Sequence, residues 1–237
     1  MPRGASAASR INTKRPARVA VADAELAQSG VRPPQQARSR AALQRLLASA
    51  EYVLVNDGID EFTIARVAEH AGVSVGGVYR RFASKEQLLD AVRYDLLRRL
   101  ENSVAEALCV THSSLAGVLG AFCAALSQIL AESGRVIPAI LAGRRSVDSS
   151  EQGLHTLATL QRRFLDAAAP HRAQIRHRDP ATALDIAFRS VIAASAHRAA
   201  IAPWWPDNLT WSQWAGEVAD MTTAYLTAGP QNDVSAT

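Results

Sequence analysis

Residues 63–89 read TIARVAEHAGVSVGGVYRRFASKEQLL, and the punctuation of this stretch decides the fold. Thr63 precedes an amphipathic run, Ile64, Val67, Ala68 and Ala71, so its hydroxyl is placed to cap a helix N-terminus. Phe62 and Val67 fall at the two positions of a hydrophobic staple, which sets the angle at which the chain enters that helix. Gly72 stands where a helix end needs a residue tolerant of positive φ. Ser74 follows as the cap of a second short helix, expected to run through Val78, Tyr79 and Phe82. Ser84-Lys85-Glu86-Gln87 repeats the device, with Gln87 expected to reach back and complete a capping box. Two helices joined by so short a turn cross steeply, as in a helix-turn-helix whose second helix enters a DNA major groove.

Outside this stretch the pattern stays helical. A first helix starts near Gln36 with Leu43, Leu46, Leu47, Ala50, Val53 and Leu54 on one face, and it ends at Asn56-Asp57-Gly58. After Ser84 a stripe from Leu88 through Leu96, Leu100 and Val104 to Leu108 predicts one long helix. Further helices are expected around Leu115–Leu130, Arg135–Gly143, Leu154–Leu165, Pro180–Ala202 and Trp211–Tyr225, with 144–153 as a polar loop. No internal repeat interrupts this order.

Composition agrees with an all-α chain. Of 237 residues, 48% are apolar but only 5% aromatic, which favours helices over sheets. Cys109 and Cys123 have neither metal-ligand spacing nor the density of a disulfide scaffold, so they suit a reducing cytoplasm as core fillers. No metal or other cofactor is expected. The longest nearly apolar stretch, 115–143, is cut by Ser127, Glu132, Ser133, Arg135 and Pro138, so it reads as a buried helix pair and no membrane partner is expected. Charge gathers at one end: residues 1–37 hold six basic residues against two acids, 38–100 ten against eight, and 101–237 ten against twelve. The excess of positive charge thus sits beside the helix-turn-helix, as a polyanion-binding module requires.

In residues 38–100 the order Asp57-Gly58, Phe62-Thr63, Val67-Ala68, Ala71-Gly72-Val73-Ser74, Gly76, Tyr79, Phe82 and Ser84 to Leu89 resembles the DNA-binding domain of the tetracycline-repressor (TetR-like) regulators. The resemblance covers roughly the second quarter of the chain and is specific through its spacing. It implies an N-terminal three-helix DNA-binding domain and a larger helical domain for ligand binding and dimerisation. The expected boundaries are a disordered basic arm at 1–36, the helix-turn-helix domain at 37–83 with the fourth helix beginning there and reaching about 100, the helical body at 84–228, and a disordered tail at 229–237. Thr63, Arg66, Ser74, Val75, Gly76, Gly77, Tyr79, Arg80, Arg81 and Lys85 become the candidate DNA contacts. Val75 and Gly76 would face the bases, and Tyr79 and Lys85 would hold phosphates. Arg80 and Arg81 could meet guanine edges or the backbone. Gly77 departs from the family, where many relatives carry a hydroxyl.

The implied partners are a near-palindromic double-stranded DNA operator, a second copy of the chain, and a small effector of apolar or amphipathic character. Phe122, Leu126, Ile140, His155 and Phe164 are candidate pocket residues, and Phe188, Ala196, Trp211, Trp214, Met221 and Tyr225 candidate dimer contacts. Such a protein would be a cytoplasmic repressor released from DNA by its effector, and not an enzyme. Two other readings remain at this level. Basic arm and head alone would serve an architectural DNA-binding protein with little sequence preference. Gly72-Val73-Ser74-Val75-Gly76 also fits the G-x-S-x-G elbow of serine hydrolases, which needs a β-strand running into the turn, whereas Ile64–Ala71 has helical spacing.

Overall fold

A computed structural model of the chain describes residues 35–133, 136, 147–202 and 204–229. Residues 1–34 of the expected arm, the tail beyond residue 229, the helix expected at 135–143 apart from Val136, and the pocket candidate Ile140 lie outside the described residues, while Gln35 and Gln36, expected to be arm, already belong to the first helix. The chain divides into two compact units, Met1–Gln44 and Arg45–Thr237, and among the described residues every buried one lies in the second.

Among the described residues the order is all-helical: α1 (Gln35–Asn56), a single turn (Gly58–Glu61), α2 (Ile64–Ala71), α3 (Val75–Tyr79), α4 (Lys85–Leu108), α5 (Leu115–Ser133), α6 (Val147–Ala168), a 3-10 segment (Ala169–Gln174), α7 (Pro180–Ile201) and α8 (Trp211–Thr227). The head buries Leu46, Ala50, Val53 and Leu54 of α1 with Phe62, Val67, Ala68 and Val78. In the body, α4 packs on α5 and α6, while α5 also packs along α8. Leu100 and Val104 of α4, Val118 and Phe122 of α5, Leu160 and Phe164 of α6, Phe188 of α7 and Val218 of α8 share one continuous core. Each such large side chain contributes about 1.5–3 kcal/mol by leaving water. Leu115–Ser133 is long and apolar enough to cross a membrane by length and composition, but its apolar residues form the middle of this core.

Several boundaries differ from the sequence expectation. The polar stretch 144–153 is not a loop throughout, because α6 already begins at Val147. Once a helix is nucleated, propagation through an interior Gly153 costs only about 1 kcal/mol, which core packing further along offsets. Beyond α6, which ends at Ala168, the chain tightens into the 3-10 segment, with proline near its start where no N–H is needed. The helix α3 is shorter than expected. It closes at Tyr79, although Phe82 N–H still donates to Val78 O at 3.0 Å.

Candidate nucleic-acid interface

The local chemistry that builds the two crossing helices can be followed atom by atom. Arg66 N–H donates to Thr63 Oγ1 at 3.2 Å, Gly77 N–H to Ser74 Oγ at 3.0 Å, and Gln87 N–H to Ser84 Oγ at 3.2 Å, so all three expected caps form. Gln87 does not close the expected box on Ser84. Its Oε1 accepts from Ala83 N–H at 2.8 Å, one residue earlier. At the far end of α2, Gly72 adopts φ +65° and its N–H donates to Glu69 O at 3.1 Å, while Val73 N–H donates to Ala68 O at 3.0 Å. This paired 6→1 and 5→2 pattern is the Schellman stop, and it turns the chain directly into Ser74.

Ser74 is therefore committed to the fold as a cap. The segment entering its turn is a helix, so the strand that a nucleophile elbow needs is replaced by α2.

Phe62, Val67 and Val78 are fully buried and lock the inner face of the head. On the opposite side Thr63, Arg66, Ser74, Val75, Gly76, Tyr79, Arg80 and Arg81 are all exposed, and Gly77 is partly covered. The expected contacts are thus brought out on one short segment of chain. Arg66 and Lys85 each meet a group within the head. Arg66 Nη2 lies 3.2 Å from Asp57 Oδ2. Lys85 is half-buried, with Nζ donating to Ile59 O at 3.1 Å and lying 5.7 Å from the Phe62 ring centre. Beside it, the Glu86 carboxyl is held below its usual range by its own backbone N–H, then by the Ser84 hydroxyl and the Lys85 charge. Neither Asp57 nor Ile59 stands out in the sequence as a partner, because the first lies nine and the second 26 residues from the group it meets. His70 stacks on Tyr52 at 4.1 Å, joining α2 to α1.

In the body, Phe122, Leu126 and Phe164 are buried together, with Phe122 and Phe164 ring centres 5.1 Å apart. His155 is not with them. It is exposed on α6, and its neighbour Thr156 is the buried residue, donating to Glu101 of α4. Phe188, expected with the dimer candidates, packs 5.8 Å from Phe122 and 6.1 Å from Phe164 in the same core. The other dimer candidates spread along the last two helices. Ala196 is partly buried on α7, Trp211 and Trp214 are partly buried in an edge-to-face pair at 5.7 Å, and Met221 and Tyr225 are exposed on α8. Arg198 sits over Trp211 at 4.2 Å and grips Asp207 through two nitrogens at 2.7 and 2.9 Å. Among the described residues no cluster of three His, Cys, Asp or Glu side chains is placed to hold a metal.

Residues 46–92, the span just described, match the family model "Bacterial regulatory proteins, tetR family". Among curated proteins, the HTH-type transcriptional regulator BetI of Cronobacter sakazakii is 41% identical over 66 residues, covering 27% of this chain and 33% of BetI. The match therefore spans about a third of that relative. Among solved structures, the TetR family transcriptional regulator PfmR from Thermus thermophilus aligns with a TM-score of 0.62 at 18% identity, over 79% of this chain and 100% of that one. The transcriptional regulator FadR from Bacillus subtilis, solved in complex with stearoyl-CoA, aligns at 0.58 and 14% identity, over 77% and 98%. At these identities the structural likeness speaks for the fold, all-α with an N-terminal helix-turn-helix.

Proposed function

Because this chain carries a DNA-binding head of the bacterial tetR family, we propose that it is a homodimeric transcriptional regulator, a repressor that a small molecule releases from a near-palindromic operator. The carrying observation is the family match on residues 46–92, whose outward face presents hydroxyl, aromatic and guanidinium groups over a fully buried inner face. Val75 and Gly76 meet base edges in the major groove. Arg80 and Arg81 read guanines or neutralise phosphates, and Thr63, Ser74 and Tyr79 hold the register. Arg66 and Lys85 exchange Asp57 and the Ile59 carbonyl for phosphate oxygens on binding. Two-fold symmetry sets the paired recognition helices about one DNA turn apart.

The head spans 37–83 and the body 84–228, with the basic arm 1–36 adding counter-charge along the DNA. The body binds an apolar or amphipathic effector, a reading supported by its aromatic core and by the acyl-CoA bound to one fold relative. Effector favours a conformation whose two recognition helices no longer fit the operator, so the two ligands weaken each other reciprocally. Such a protein works in the cytoplasm and catalyses no reaction. Selection from random-sequence duplexes at about 150 mM salt, where non-specific phosphate contacts are weakened, tests this reading. An enriched inverted repeat is expected. Uniform, salt-sensitive binding without enrichment would instead mark an architectural protein.

A further inference from the structure

Gly76 has no reason to be glycine that lies inside this chain. Positive φ among the described glycines is confined to Gly58 and Gly72, so Gly76 has an ordinary helical backbone. A Cβ placed on it would meet nothing within 4 Å. Alanine there would also suit the helix better, since glycine gives up more backbone freedom on folding. Its neighbour differs. A Cβ on Gly77 would come within 3.2 Å of Ser74 Oγ, the oxygen that accepts the Gly77 N–H, so the cap itself accounts for that glycine.

Beside Gly76, among exposed polar groups such as Ser74 and Arg80, stand two exposed apolar ones. Val75 is 43% exposed and Tyr79 52% exposed, and the two stand four residues apart on one side of α3 with Gly76 next to Val75. About half of each of these two side chains is left uncovered by the fold. A bare Cα flanked by a valine and a tyrosine has the shape and polarity to receive a methyl group. In a DNA major groove the one methyl on offer is the C5-methyl of thymine, which apolar groups read.

Resting on the regulator reading above, we propose that Gly76 is a specificity-determining residue. The missing side chain lets the backbone of α3 close on the DNA and seat one thymine methyl per half-site against Val75.

The test compares wild type with Gly76→Ala on the operator selected by wild type, and on copies of it with each thymine in turn replaced by deoxyuridine, which removes only the methyl. At one symmetric position, deoxyuridine is expected to weaken wild-type binding about fourfold, the worth of one buried methyl. Gly76→Ala should bind the unmodified operator on the order of tenfold more weakly and be indifferent to deoxyuridine at that position. Its thermal midpoint should equal or exceed that of wild type. A fall in the midpoint would reveal an internal need for the glycine and overturn the assignment. So would a variant that binds like wild type and keeps its methyl sensitivity, or a wild type indifferent to deoxyuridine at every thymine. If wild type enriches no sequence at all, the regulator reading fails and takes this assignment with it.

Discussion

Arg99 on the long helix reaches Glu51 of α1, with Nη2 donating to Oε2 at 2.9 Å. The same guanidinium donates through Nη1 to Ser133 Oγ at 2.9 Å and lies 3.2 Å from Asp95 through Nε. One side chain therefore joins the helix beneath the reading head to the last residue of α5. Ser133 is buried, so its hydroxyl has little water to turn to once that bond is broken. Arg99→Ala should destabilise the fold by about 1–3 kcal/mol, lowering the thermal midpoint by roughly 3 °C for each kcal/mol. Glu51→Gln, which keeps an acceptor, should lose less. A midpoint unmoved by Arg99→Ala would mean that the three-way tie contributes nothing to stability.

The pair between Arg66 and Asp57 is of another kind, because the Arg66 side chain is half-exposed. Asp57→Asn should therefore change stability by no more than about 1 kcal/mol. It removes a negative charge beside the reading face and leaves Arg66 free for phosphate, so operator binding should tighten roughly twofold to fivefold at low salt, with the gain fading as salt screens it. Arg66→Ala should weaken binding and flatten the dependence of log K on log salt by about 0.9 for each phosphate that the variant no longer neutralises. An unchanged slope would remove Arg66 from the set of phosphate ligands.

Acid sensitivity should be concentrated at the connection between α7 and α8. The Asp207 carboxyl is held at about 2, below its ordinary 3.8, by the hydrogen bond from Arg198, then by the Leu209 N–H and the Arg198 charge. A depressed carboxyl contributes stability that is fully present above the unfolded value and is lost as pH falls through the folded one. The window is thus from about 4 down to about 2. Within it, the fluorescence of Trp211 and Trp214, which Arg198 overlies, should change in wild type. In Asp207→Asn that part of the response should be missing at every pH, and a wild-type-like acid transition in this variant would refute the assignment.

The two thiols should behave oppositely. Cys109 is exposed, whereas burial pushes the Cys123 thiol up to about 12. Only the thiolate reacts with alkylating agents, so near neutral pH the native protein should take up one label, at Cys109, and a second only on unfolding. Mass mapping that finds Cys123 labelled in the native state would show that α5 opens far more readily than its packing implies.

What could be read from the chain alone was whatever depends on near neighbours. The caps at Thr63, Ser74 and Ser84 and the left-handed stop at Gly72 are settled within three or four residues, so spacing was enough to find them. The capping box at the start of α8, from Thr210 to Gln213, has the same signature and could have been found in the same way. Periodicity also identified which apolar residues share a helix face. It could not say what that face meets. Phe188 belongs to a stripe that would suit either a partner subunit or the core, and only the approach of α5 and α6 assigned it to the core beside Phe122 and Phe164. His155 and Thr156 are adjacent polar residues on one helix, and the direction in which α6 packs buried the threonine and exposed the histidine. Lys85 met the Ile59 carbonyl, and Arg99 met both Glu51 and Ser133, across separations that no local pattern encodes. Local hydrogen bonding and side-chain period thus determined the helices and their ends. The pairing of faces, which depends on burying the most apolar surface across the whole chain, was decided only in the tertiary structure.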